Sequence, residues 1–163
     1  MSSADAVVRE AQWLTAYDPA DGLPALSAML GGPFDVIQAY LPRTPAQRRA
    51  QLYVLRRQLR EERTAHVRRM ARHLFELRII WPASSPSGSS EDPQQALDNA
   101  VELVLQRVGG LMLDKTHGGR FLSAAENPGE VTVDFADPEP SLRDRADLRC
   151  TITYWADDAE ING

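Results

Sequence analysis

The most informative part of the chain is residues 92–126, which read DPQQALDNAVELVLQRVGGLMLDKTHGGRFLSAAE. Its first half predicts an amphipathic helix, because apolar residues recur at helical spacing on one broad face and polar residues occupy the other. Asp92 is suited to cap this helix, Pro93 to its first turn, and Gly109 to the left-handed residue at its end. We therefore expect a packed helix over residues 92–109.

A compact polar turn follows this helix. It consists of Asp114, Thr116, His117, Gly118, Gly119, Arg120 and Phe121. Successive glycines can present backbone N–H groups to an anion, and Arg120 could pair with that anion. The lysine and hydroxyl residue of a phosphate-binding loop are missing, however. The favoured interpretation is a structural turn, with an anion site as the alternative and a metal site as a weaker one. A hydrogen bond between Asp114 and His117 could fix this turn.

Strands are predicted on the C-terminal side of this turn. Residues 131–135 and 148–155 alternate between apolar and polar side chains, which is the period of a half-buried strand. Cys150 lies in the second of these runs and is expected to be a small buried apolar residue. Between the strands, residues 137–140 predict a turn, and the acidic tail 157–163 is expected to be exposed.

On the N-terminal side, residues 4–16 predict a helix with Arg9 and Glu10 on its polar side. A second short helix is expected at 24–30, before two glycines. Residues 34–41 are rich in β-forming side chains and are bounded by prolines, which indicates a strand.

Residues 43–81 fit two alternatives. Intrinsic propensity would make most of 45–74 helical, whereas the alternation that leads to Trp81 is typical of a strand. The favoured interpretation is a strand near 51–57 and a longer strand ending at Trp81, with a turn between them around 59–64.

The 163 residues are expected to form one domain, residues 1–163. Within it we distinguish an N-terminal helical part (1–32), a surface loop (83–91) and C-terminal strands (131–156) around the central helix. The single cysteine excludes an internal disulfide framework. The longest apolar runs are far shorter than the ~20 residues that span a bilayer, and the first residues do not resemble a signal peptide. Synthesis in the cytosol and no membrane partner are the expectations.

Charge is segregated along the chain. Between Arg43 and Arg78 there are eleven arginines and three glutamates, although the net charge of the whole chain is −5. The densest cations are Arg56, Arg57, Arg60, Arg63, Arg68 and Arg69. Salt bridging to another protein is the favoured role, because base-stacking aromatic residues and nucleic-acid-binding motifs are missing. Contact with nucleic acid and a plain solvated surface are the alternatives.

The sequence predicts no catalytic, cofactor or metal site. The three histidines, His66, His73 and His117, lack the spacing of a zinc-binding helix, and no serine lies in a nucleophile elbow. An enzyme is therefore the least favoured class.

Several features together resemble the tail terminator (tail completion) proteins of long-tailed bacteriophages, the siphoviruses, especially those that infect actinobacteria. They are a proline-flanked early strand, a strand ending in Ile80-Trp81-Pro82, a polar loop, the helix Ala96–Val108 leading into Leu113–Leu122, and a last strand whose end is Ile152–Asp158. The resemblance covers about residues 33–163, and its most specific section is 114–122.

The resemblance implies a small α+β fold in which a twisted, mainly antiparallel or mixed sheet is backed by helices. It implies a homohexameric ring that caps the tail tube at its head-proximal end, stops tube polymerisation and joins the tail to the neck. The implied partners are further copies of the chain, the tail tube protein and the neck or head–tail connector protein, with transient contact to genomic DNA in the lumen. The implied location is the virion. Another neck or tail component, such as a stopper or tube protein, and an arginine-rich nucleic-acid-binding protein remain the alternatives.

With this function, the arginines become candidates for the contact with a neighbouring subunit, the tube or the neck. We expect that reversing the charge of Arg68 and Arg69 weakens ring closure.

Overall fold

The computed structural model describes residues 3–46, 48–65, 68–83, 91–109, 114–126, 129–144 and 146–161. Within these ranges the chain forms three α-helices and six strands. The helices are α1 (Ala6–Thr15), α2 (Glu91–Gly109) and α3 (Pro138–Arg143). The strands are β1 (Val36–Ala39), β2 (Gln51–Ala65), β3 (Arg68–Trp81), β4 (Ser123–Ala124), β5 (Thr132–Phe135) and β6 (Leu148–Ile161).

All six strands belong to one mixed sheet, which confirms the predicted α+β class. The order is β1-β2-β3-β6-β4, and β5 also pairs with β6. β1 runs parallel to β2, whereas the other pairs are antiparallel. β2, β3 and β6 contain 14 or 15 residues each, so they extend for about 45 Å at ~3.3 Å per residue.

One face of these long strands carries the core. In β6 the predicted apolar face of Leu148, Cys150, Ile152 and Tyr154 is confirmed, with each residue at most 3% exposed. Alternate residues of β3 are buried beside it, and α1 and α2 contribute to the same hydrophobic cluster. Tyr53, Phe75 and Trp81 are also core residues.

The predicted helix at 24–30 is wrong: only Ala28–Leu30 forms a single 3-10 turn. This segment bonds instead to Phe34, which lies two residues before β1. The N–H of Ala28 donates to the carbonyl of Phe34 (2.8 Å), and the N–H of Phe34 donates to Leu26 (2.9 Å). A helix of two turns is marginal without packing, so this pairing prevails.

The predicted turn at 59–64 is also wrong, and so is the helical alternative for 45–74. Residues 59–63 pair in regular register with β3, from Leu59 opposite His73 to Arg63 opposite Arg69. The strand continues to Ala65, and residues 66 and 67 lie outside the described residues. Pairing with a long neighbouring strand outweighs the helical propensity of this charged segment.

Two C-terminal predictions need correction. Residues 137–140 do not form a simple turn, because Asp137 caps α3 by accepting from the N–H of Glu139 at 3.1 Å and Pro138 takes the first helical position. The acidic tail is not exposed throughout: β6 continues to Ile161, and Asp158 is only 4% exposed.

The remaining elements agree with their predictions within a few residues. The helices predicted at 4–16 and 92–109 correspond to α1 and α2. α2 begins at Glu91, so Asp92 lies inside its first turn and not at the cap. The predicted left-handed Gly109 is also wrong, because Gly109 is the last helical residue and its φ is not positive. Of the predicted surface loop, residues 84–90 lie outside the described residues. Across the described chain, no helix combines the length and apolar character that crossing a bilayer requires.

Candidate functional site

The predicted cations lie along an edge of the sheet. β1 pairs with β2 only at Gln51–Val54, so the continuation of β2 has β3 as its one strand neighbour in the described chain. We call residues 56–63 of β2 the arginine edge. Its residues 57–63 are all exposed, which leaves this strand segment outside the core.

The arginine edge presents cations on both faces of the sheet. Arg60 pairs opposite Arg72 and Arg63 opposite Arg69 in an uninterrupted register, and residues three apart in a strand point to opposite faces. The guanidinium of Arg60 lies 4.9 Å from the centroid of the Trp155 ring. A nitrogen of the exposed Arg57 lies 3.9 Å from the largely buried Glu76, a long contact that gives the pair little energetic weight.

The six predicted arginines therefore do not form one flat basic face. Arg56 is half-buried and begins the arginine edge. The backbone of Arg68 and Arg69 forms the start of β3. Their side chains lie outside the described part of the structure. Charged residues on an exposed strand also hinder unwanted strand pairing, so a part of this charge serves solubility.

The turn at 114–121 is held by its own hydrogen bonds. Asp114 accepts from the N–H and the hydroxyl of Thr116 (2.8 and 2.5 Å) and from the N–H of Gly118 (3.0 Å). The Thr116 hydroxyl oxygen accepts from Gly119 (2.9 Å). The bonds from Thr116, with smaller contributions from Gly118 and His117, lower the pKa of Asp114 despite the opposing effect of partial burial. Both glycine N–H groups that an anion would require are already engaged, which favours the structural interpretation.

The predicted Asp114–His117 hydrogen bond is wrong, because His117 points into the core. It is fully buried, its Nδ1 lies 2.9 Å from a carboxylate oxygen of Glu10, and its Nε2 lies 2.9 Å from the carbonyl of Val108. A carbonyl only accepts, so Nε2 carries a proton. Its ring stacks on Trp13 at 5.0 Å.

The charge state of His117 follows from these partners. Burial alone would lower its pKa, but the charge and hydrogen bond of Glu10, the Val108 carbonyl and the charge of Asp114 outweigh burial and raise it. The hydroxyl of Tyr154 donates to the second oxygen of Glu10 at 2.7 Å. One carboxylate of α1 thus connects the turn to β6.

A second ionic group lies one residue earlier on α1. Arg9 donates to Asp158 at 2.6 Å and to Asp5 at 2.8 Å, and it also bonds to the carbonyl of Arg120. His73 approaches the same Asp158 oxygen at 3.5 Å. Burial alone would raise the pKa of Asp158, but hydrogen bonds from His73 and Arg9 and their charges lower it.

These groups form what we call the buried charge cluster. Its members are Arg9, Glu10, His73, His117, Tyr154 and Asp158. Glu10, His73 and His117 are completely buried, so these three side chains do not reach the surface. The cluster joins the N-terminal helix, the turn and the C-terminal strand.

A further buried cation, Arg107, lies beside α1. Arg107 of α2 donates to the carbonyl of Trp13 at 2.8 and 3.1 Å and to that of Pro24 at 3.1 Å. Its guanidinium lies 4.5 Å from the Trp13 ring centroid. Burial lowers the pKa of Arg107. Arg107 therefore fixes α1 against α2 through main-chain oxygens.

Sequence reasoning missed this cluster because it placed Arg9 and Glu10 on the polar side of the first helix. The burial of Glu10 could have been predicted from its spacing. It follows Val7 by three residues and precedes Leu14 by four, which places it on the buried face of the helix. Asp158 likewise continues the two-residue spacing of the buried face of β6, but the acidic composition of the tail indicated an exposed end. Its burial depends on β6 continuing beside β3.

Two further groups bear on chemistry. Cys150 is buried as expected, and burial, followed by the charges of Asp134 and Asp98, raises the pKa of its thiol to about 12. The thiolate that a nucleophile requires is therefore unfavourable at neutral pH. Over the described residues, no group of three or more His, Cys, Asp or Glu side chains is arranged to hold a metal ion.

Comparison with known proteins gives no relative from which a role could be transferred. No protein-family model matches the chain, and no curated protein matches its sequence significantly.

Proposed function

We propose that the chain is a structural protein of a bacteriophage virion: a tail terminator that forms a ring on the head-proximal end of the tail tube. The ring stops tube polymerisation and joins the tail to the neck. The observation that carries this proposal is the separation of charges by location: the titratable groups suited to chemistry are sealed in the buried charge cluster, whereas the arginines lie on an exposed sheet edge. Such a molecule acts by docking and catalyses no reaction.

The surface supports docking because charges of opposite sign predominate on different elements. Four arginines and two exposed glutamates, Glu61 and Glu62, line the arginine edge on β2, whereas mainly acidic residues are exposed around β5 and α3. Those acidic residues are Glu130, Asp134, Asp137, Glu139 and Asp144. Surfaces of different charge allow one subunit to contact different partners, such as another copy of the chain and the tube, at separate places.

The section that most resembles the tail terminators, residues 114–122, also suits a structural role. Its turn bonds to itself through Asp114 and Thr116 and anchors α1 through His117. In the proposed function this section preserves the shape of the subunit, and the arginine edge makes the contact with the tube or the neck.

The proposal has one close alternative, another neck or tail component such as a stopper or a tube protein. Purified tail tube protein, elongating in vitro in the presence of the chain, distinguishes them. A terminator stops elongation at an amount far below that of the tube protein, and electron micrographs show extra density at one tube end. Incorporation along the whole tube, or elongation at an unchanged rate, would contradict the proposal.

The nucleic-acid alternative rests on the same arginines. Phosphate binding requires cations on one accessible face, and the arginine edge divides its cations between two faces. Binding of the isolated protein to duplex DNA should therefore be weak even at low salt. In the proposed ring, the chain contacts genomic DNA only while the DNA passes through the lumen.

A further inference from the structure

β1 offers one exposed strand edge. In the described chain its strand partner is β2 alone. The N–H groups of Val36 and Tyr40 donate to carbonyls of Ala50 (3.2 Å) and Val54 (2.9 Å). Because alternate residues of a parallel strand bond to the same neighbour, Ile37 and Ala39 direct their backbone groups away from the sheet.

Apolar and basic side chains surround this edge. A groove of about 390 Å³ runs between α1 and β1. Its lining is formed by Val8, Ala11, Gln12, Thr15, Ala16, Ile37 and Ala39. Exposed cations flank it, since Arg43 follows β1 by four residues and Arg48 and Arg49 precede Ala50, whose N–H donates to Asp35 at 3.1 Å. We call this surface, with Tyr40, the β1 surface.

Tyr40 has an unusual conformation for an exposed residue. Its φ is +66° and its side chain is 52% exposed. A bulky residue is strained in this left-handed region, and such strain is concentrated at functional positions. The exposed ring gains little from the fold of the single chain, which points to a contact outside it.

β5 offers a second exposed edge, on the far side of β3 and β6 from β1. In the described chain its partner is β6 alone, and the N–H of Ala136 donates to the carbonyl of Arg149 at 3.0 Å. By antiparallel alternation, Val133 and Phe135 direct their backbone groups outward. Phe135 is 52% exposed.

The charges around β5 are mainly acidic. Glu130, Asp134 and Asp137 are exposed beside the strand, and Glu139 and Asp144 follow on α3. Two cations are also present: Arg143 pairs with Glu139 at 2.7 Å, and Arg149 lies on β6. We call this acidic region, with Phe135, the β5 surface.

The arginine edge differs from both surfaces. Its charges guard a long strand against pairing, which is the usual protection of an exposed edge. β1 has no charged residue and β5 has one. Their shortness limits unwanted pairing, but each keeps an exposed aromatic ring beside outward-directed backbone groups. These two edges are therefore the places where the sheet can be extended.

We propose that the β1 surface of one copy of the chain docks on the β5 surface of a second copy, so that the sheet continues across the contact. The occupant is a second copy because one surface is basic and the other acidic, both carry an exposed aromatic residue, and each offers two outward-directed backbone positions. The contact is heterologous, so it repeats from copy to copy and closes into a ring when the rotation allows. The part of this inference that predicts a closed ring rests on the proposed function.

Two variants that each damage one surface test the inference. Arg48→Glu with Arg49→Glu reverses the β1 surface, and Glu130→Arg with Asp134→Arg reverses the β5 surface. Wild-type protein is expected to sediment as an oligomer, and each variant alone as a monomer. An equimolar mixture is expected to regain assembly with the two variants alternating, because the intact β1 and β5 surfaces pair as in wild type and the two reversed surfaces are again opposite in charge.

A third variant tests the contact without reversing a charge. Tyr40→Gly removes the exposed ring and suits the left-handed φ, so the variant should be at least as stable to urea as wild type while its assembly weakens at least tenfold. Glu102→Arg, on an exposed position of α2, is the matched control and should assemble as wild type. Circular dichroism establishes that every variant is folded.

The inference is overturned if either charge variant assembles like wild type or if their mixture stays monomeric. Its failure differs from a failure of the proposed function. Variants that keep the wild-type mass and still stop tube elongation would refute this interface alone. Variants that behave as expected, in a protein whose wild-type oligomer leaves tube elongation unchanged, would refute the tail terminator and leave the interface standing.

Discussion

At the scale of residues, Arg9 and Glu10 show how two adjacent side chains can connect the N-terminal helix to distant parts of the chain. They are neighbours in sequence, yet Arg9 bonds to Asp158 and Glu10 to His117 and Tyr154. A buried ion pair contributes little net stability relative to apolar residues, but removing one partner typically costs 3–5 kcal/mol, because the other charge remains buried. The cluster therefore makes α1 and the end of β6 depend on each other.

Replacing Glu10 by Gln should destabilise the protein by about 3 kcal/mol at pH 6, near the lower end of the cost of breaking a buried pair. The pKa of His117 is raised in the folded state. The stabilisation that its pairing with Glu10 provides is therefore complete below the pKa of an unfolded histidine, about 6.5, and is lost as pH rises through the pKa of His117 in the folded protein. Urea denaturation at pH 6 and pH 9 should therefore show a smaller cost at pH 9. Glu102→Gln is the exposed control, and a cost that grows with pH would contradict this assignment.

Asp158→Asn should show the opposite pH dependence. The pKa of Asp158 is lowered in the folded state, so its contribution is present above the unfolded value of about 3.9 and is lost as pH falls through the folded value. We expect a loss of about 3 kcal/mol between pH 5 and 7, with the two proteins converging in acid. The measurement is urea denaturation across this range, with Asp98→Asn on the surface as control. Equal stabilities at pH 7 would show that the Arg9–Asp158 pair is not formed.

At the scale of elements, periodicity was sufficient where one face of an element is buried. The alternation in β6 and the helical spacing in α2 predicted both the elements and their buried faces. It failed at residues 59–63, because both faces of that strand are exposed and no alternation is required. It also failed for Asp158, since the burial of an acidic side chain depends on a partner 149 residues away.

The candidate site divides in the same way. The density of arginines predicted a basic surface, but only the strand register shows that its cations lie on two faces. The polar turn was recognised, whereas the partner of His117 was not, because Glu10 reaches it across 107 residues of sequence.

The arginine edge gives a prediction of its own. Arg57→Glu with Arg63→Glu should leave folding and the mass of the oligomer unchanged, because these side chains are exposed and lie apart from the β1 and β5 surfaces. The same variant should lose most of its ability to stop tube elongation, since its contact with the tube or neck is reversed in charge. Sedimentation and the elongation assay measure the two properties on one sample. A variant that still stops elongation like wild type would remove the arginine edge from the proposed contact.

At the scale of the whole molecule, the three sheet edges discussed above, all in the described part of the chain, have different properties. The arginine edge is long and charged, the β1 surface is apolar with a basic rim, and the β5 surface is acidic with an exposed phenylalanine. In our proposals the last two connect copies of the chain and the first meets the tube or the neck. This division assigns a separate function to each charged region of the sequence.

The central claim is that the protein works as a closed ring on the end of a tube. The most direct test is the mass of the purified protein by sedimentation velocity, combined with end-on electron micrographs of the same sample. We expect one species whose mass is a fixed multiple of the 18.1 kDa chain, six-fold by the resemblance, with a central opening. A protein that stays monomeric at high concentration, or that grows into filaments of unlimited length, would contradict the claim.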